Sequence, residues 1–93
     1  MIVAAGRVEL HVHGSHSLKE KRGVVQSIKQ RLRNRFNVAV AEVGGQDTWQ
    51  IAVLGLATVA EEAQDARLRI EAAIDFIVSL HLAEVIDQEV EIL

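Results

Sequence analysis

Residues 14–36 read GSHSLKEKRGVVQSIKQRLRNRF, and the way this stretch folds decides the rest of the chain. Leu18, Val25, Ile28, Leu32 and Phe36 recur at intervals of seven, three, four and four, with Val24 beside them. At about 100° per residue they share one side of a helix, and that side must be buried. Ser17 stands where an N-cap belongs, and Glu20 follows at the capping-box spacing, which satisfies two backbone N–H groups otherwise without partners. Asn37 is placed to act as a left-handed stop. Gly23 weakens the middle by about 1 kcal/mol relative to alanine, which packing must offset. Lys21 points along the apolar side, but in the first turn, where its stem is expected to snorkel past the sheet edge.

The same stretch holds seven of the ten basic residues, Lys19, Lys21, Arg22, Lys29, Arg31, Arg33 and Arg35, and a single acid. It therefore carries +6. The remainder, with three basic and twelve acidic residues, carries −9, for a net charge of −3. Lys19, Arg22, Lys29 and Arg33, with Gln26 among them, fall in a stripe about 80° wide along the helix. Arg31 and Arg35 flank the other edge.

Outward from the helix, the pattern changes to period two. Residues 2–13 set Val8, Leu10 and Val12 on one side and Arg7, Glu9, His11 and His13 on the other, as in a strand with one buried face. Residues 37–43 form a second strand. Gly44, Gly45, Gln46 and Asp47 turn the chain, so the next strand returns antiparallel. That third strand, residues 49–57, is apolar on both faces, with Trp49, Ile51 and Val53 on one and Ala52, Leu54 and Leu56 on the other. Thr58 and Glu61 repeat the capping-box spacing. A second helix follows, burying Ala63, Ala66, Ile70, Ala73, Ile74, Ile77 and Leu80. Residues 84–93 alternate again, with Ile86, Val90 and Ile92 inward and Asp87, Glu89 and Glu91 outward.

The order is βαββαβ. Short connections and right-handed crossovers predict an α+β ferredoxin-like sandwich: one domain over residues 1–93, with a four-stranded antiparallel sheet and two helices on one face. The first and third strands take the centre, and the fourth lies beside the first. The other sheet face has no cover in a single chain. A third strand that is apolar on both faces is hard to leave in water, so we expect a homodimer that buries this face or its edge.

Three stretches, RVELHVHGSHSLKEKR, RLRNRFNVAVAEV and QDTWQIAVLGLATV, resemble the YlxP-like bacterial family (domain of unknown function 503). The resemblance covers essentially the whole chain. It implies a ferredoxin-like fold and no defined activity. Members tend to be encoded near genes for translation initiation and ribosome maturation, which implies a role linked to RNA or the ribosome. The family commonly has Ile-Pro-Gly where this chain has Val12, His13 and Gly14.

Apolar residues make up 49% of the chain, enough for a real core, and rule out disorder. With no cysteine, disulfides, Cys-ligated zinc and thiol catalysis are excluded. The start alternates and is charged, and no apolar run reaches spanning length; no membrane role and a cytoplasmic location are expected. Binding of structured RNA or the ribosome through Lys19, Arg22, Lys29 and Arg33 leads the functional readings. Aromatics total 3%, too few for a sheet that reads RNA by stacking. Ser15, Ser17 and Lys21 suggest a narrower anion site at the helix start, although capping alone explains Ser17 and the glycine spacing is not that of a P-loop. His11, His13 and His16 form H-x-H-x-x-H. Alternate residues of a strand share a face, so two of them could reach one ion with an acid from the fourth strand. Ordinary solvent-facing histidines beside carboxylates explain the pattern as well, and the sequence assigns no metal and no cofactor. No nucleophile is paired with a base, so no catalytic residue is assigned and a non-enzymatic role is expected. The alternative is a homodimeric protein–protein interaction module that uses the sheet face or edge.

Overall fold

A computed structural model describes all 93 residues, in the order β1 (Ile2–His11), α1 (Leu18–Arg35), β2 (Ala39–Gly44), β3 (Ile51–Ala60), α2 (Ala63–Leu80) and β4 (Glu84–Ile92). The strands form one antiparallel sheet in the order β2-β3-β1-β4, with β1 and β3 central, and both helices cover the same face: the ferredoxin-like α+β fold. Alternation decides what lies between the layers. Ala4, Val8 and Leu10 of β1 and Ala52, Leu54 and Leu56 of β3 point toward the helices and are buried. They meet Val25, Ile28 and Leu32 of α1 and Ala66, Ile70, Ala73, Ile74 and Ile77 of α2. At Gly6 the approach of α2 is so close that a Cβ would stand 2.6 Å from Ile70 Cγ2.

Four local expectations are corrected. The helix α1 stops at Phe36 in extended conformation (φ −126°), whose N–H bonds Leu32 O at 2.8 Å, and Asn37 has no left-handed backbone. β3 begins at Ile51, which leaves Trp49 in the β2–β3 loop, 55% exposed. β3 also runs on to Ala60, because pairing with β1 continues to Ile2 opposite Ala60. Thr58 is therefore a buried strand residue and not a cap; its hydroxyl donates to Asn37 O (2.8 Å) and accepts from Arg69 Nη1 (2.7 Å). α2 starts after Glu62 with no side-chain cap and ends on His81 in the left-handed region (φ 55°).

The fourth correction concerns β4. Leu10 faces Val85 while Glu9 faces Asp87, so Ile86 is an inserted residue, a β-bulge. Val85, Val90 and Ile92 pack against the core, and Ile86 is left 44% exposed. Asp87, Glu89 and Glu91 stand opposite Glu9, Arg7 and Ala5 on the open sheet face, the outward side expected for them. No helix is long and apolar enough to cross a membrane.

Candidate functional site

The start of α1 is built from its own polar residues. Ser17, in extended conformation, accepts the Glu20 N–H through Oγ at 3.1 Å. Glu20 Oε2 in turn accepts the His16 N–H at 2.8 Å, one residue beyond where a capping box would place it. Ser15 is buried and donates to Ser17 O at 3.1 Å. A carboxylate thus already occupies the positive end of the helix. Lys21 does not snorkel. It is 1% exposed, and Nζ donates to Gly45 O (2.6 Å) and Ile51 O (3.0 Å), with Glu42 Oε2 at 3.7 Å. Ser15, Ser17 and Lys21 are each committed to protein partners and do not converge on an open anion seat.

The basic stripe is different. Lys19, Arg22 and Arg33 are exposed and Lys29 is half-buried. The ion pairs of the chain involve Arg7, His13 and Lys21, and none involves the stripe. Arg33 gives one N–H to Val40 O at 2.9 Å, which ties α1 to β2, and keeps its other donors. Off the stripe, Arg31 Nε donates to Ser27 Oγ at 3.1 Å, and the Arg35 guanidinium lies 4.9 Å from the centre of the Phe76 ring. Lys19, Arg22 and Lys29 therefore present charge with no protein partner, and Lys19 to Arg33 spans about 21 Å of helix axis. The acids of β4 stand across the sheet, on its far face and at its far edge. There Arg7 lies 3.8 Å from both Glu9 and Asp87.

The open face is itself divided. On the β2–β3 side, Val43 (58% exposed) and Val59 (51% exposed) rise from it. A shallow depression of about 240 Å³ is lined by Val3, Asn37, Ala39, Ala57, Thr58 and Val59. At the far end of the sheet, His11 and His13 come together with Glu84, while His16 stays apart, its backbone bonded to Glu20.

The description "protein of unknown function (DUF503)" matches residues 3–90. The chain belongs to the DUF503 family. This DUF503 protein is 35% identical over 76 residues to "uncharacterized protein YlxP" of Bacillus subtilis (strain 168), a match covering 82% of the chain and 83% of that relative. Neither match carries an assigned activity, so the DUF503 site must be read from its own geometry.

Sequence reasoning missed Glu42, whose Oε2 is buried without a hydrogen bond. A glutamate in an alternating strand looks solvent-facing, and only the pairing of Glu42 with Leu54 turns it under α1. Gln50 was missed as well; its amide joins His11 to the backbone of Ser15 across the first turn.

Proposed function

We propose that this DUF503 protein binds structured RNA, ribosomal RNA included, by laying the exposed side of α1 along a phosphate backbone. One observation carries the reading: Lys19, Arg22 and Lys29 form a row of cations that no acid of the chain neutralises. Leaving such charges together costs self-repulsion, which phosphate contact relieves with release of counterions. Arg33 extends the row, although its anchoring bond to Val40 makes it a poor residue to mutate. The sheet face, acidic along β4, is the wrong surface for the same ligand.

The test is fluorescence anisotropy against ribosomal RNA fragments over a salt series, with a variant carrying Lys19→Glu, Arg22→Glu and Lys29→Glu. Three phosphate contacts correspond to a log–log salt slope of about −2 to −3. Binding with that slope, lost in a variant that keeps its circular dichroism, is the expected result. No binding at low salt, or binding indifferent to the reversal, would sink the reading.

A second reading, a homodimer through the open face, rests on a separate observation. The half-face around Val43, Val59 and the depression beside them is apolar and uncovered. Self-association through it would be insensitive to salt, which separates it from phosphate binding.

A further inference from the structure

We propose that His11, His13 and Glu84 form a site for a divalent transition metal of the zinc class, at the end of the sheet where β1 meets β4. Three features of the fold bring the donors together. His11 ends β1 and is the cross-strand partner of Glu84, which begins β4, so their side chains leave the same face. His13, two residues on, swings back so that its ring centre lies 3.9 Å from that of His11. Its Nε2 is 2.9 Å from Glu84 Oε1. One ligand atom from each of the three residues lies within 4.8 Å of the others.

A tetrahedral ion with bonds of about 2.0–2.1 Å needs donors about 3.3 Å apart. The remaining closure falls to His13 and Glu84, whose side chains are 63% and 58% exposed and free to rotate. His11 is held more firmly. Gln50 gives its amide N–H to Ser15 O at 3.2 Å, so its Oε1 is the atom facing His11 Nε2, also at 3.2 Å. That contact requires His11 to carry its proton on Nε2 and leaves the Nδ1 lone pair for a metal, an outer-shell orientation typical of ligating histidines.

Two imidazoles and one carboxylate suit zinc, cobalt or nickel. They lack the thiolates that favour copper(I) and the all-oxygen set that suits calcium or magnesium. Three protein ligands leave a position open to water or an outside ligand. His13 and Glu84 also line a groove of about 530 Å³, together with His81 and Leu82.

The test is calorimetric titration of the untagged chain with Zn²⁺, with Co²⁺ absorption as a second probe. We expect one ion per chain and a visible Co²⁺ spectrum of low-symmetry coordination. His11→Ala, His13→Ala and Glu84→Gln should each weaken Zn²⁺ by at least about tenfold. His16→Ala should leave it unchanged. All four replace exposed or half-buried side chains outside the core, and circular dichroism verifies each fold. Zn²⁺ binding that survives His13→Ala and Glu84→Gln, or that falls equally with His16→Ala, would overturn the assignment, as would the absence of binding by the unmodified chain.

Discussion

Lys21 is the residue on which the β2–β3 loop hangs. Its ammonium joins α1 to Gly45 O and Ile51 O, with the Glu42 carboxylate alongside. Gly45 itself admits no side chain, because its φ is +77° and a Cβ would stand 2.7 Å from Ile51 O. Removing the ammonium leaves the buried Glu42 Oε2 without its counter-charge, whereas both carbonyls keep the Thr48 hydroxyl as a donor. Lys21→Ala should therefore cost about 3–5 kcal/mol in urea unfolding, a large part of the stability of a domain this size. Adding Glu42→Gln should recover part of the loss, because the uncompensated charge goes with it. A Lys21→Ala midpoint within error of the parent's would show that the bonds carry no net stability. Rotation along the helix did place Lys21 on the buried side. It could not supply the acceptors, which lie 24 and 30 residues away, one in the β2–β3 turn and one at the start of β3. The same holds for the metal-site candidate: the spacing of His11 and His13 is visible in the chain, whereas Glu84 is joined to them by strand pairing and Gln50 by the path of the β2–β3 loop.

At the scale of elements, period told more than register. Both helices and the central strands follow from spacing alone, since apolar residues at helical and alternating intervals have one way to share a core. Register failed where a residue was inserted. Strict alternation turned Ile86 inward, and the bulge opposite Glu9 and Leu10 substitutes Val85. A one-residue shift exchanges the faces of a strand, so the two positions make a clean test. Ile86→Lys should change stability by no more than about 0.5 kcal/mol, as at other exposed sites. Val85→Asp should cost about 2 kcal/mol or more, because a carboxylate would displace an apolar contact with the core. Urea midpoints at constant slope would show it, and the reverse ranking would restore the unbulged register. The false cap at Thr58 has a related cause: the ladder between β1 and β3 outlasts the local preference for a helix start.

At the scale of the whole molecule, charge and apolar surface are sorted onto different faces. The basic stripe lies on the helix layer over β2, and the acids of β4 occupy the far side of the sheet. This arrangement constrains the homodimer reading. A two-fold pairing of complete sheet faces would risk setting Asp87, Glu89 and Glu91 against their own copies, a like-charge contact. Two copies offset over β2 and β3 would avoid that, joining Val43, Val59 and the depression near Ala39 and leaving the acids at the rim. Both α1 stripes would then face outward, so dimerisation would add a second phosphate-binding surface without blocking the first, and avidity would tighten RNA binding. Val59→Lys places a charge in that patch at an exposed position, where the monomer has little stability to lose. Sedimentation over a concentration series should show a dimer for the parent chain and a monomer for Val59→Lys, with the parent dimer unchanged by salt. RNA affinity should fall in the variant, although its α1 is intact. A parent chain that remains monomeric throughout would remove the dimer and leave the single stripe to act alone; a dimer that dissolves in salt would point to the charged half of the sheet instead.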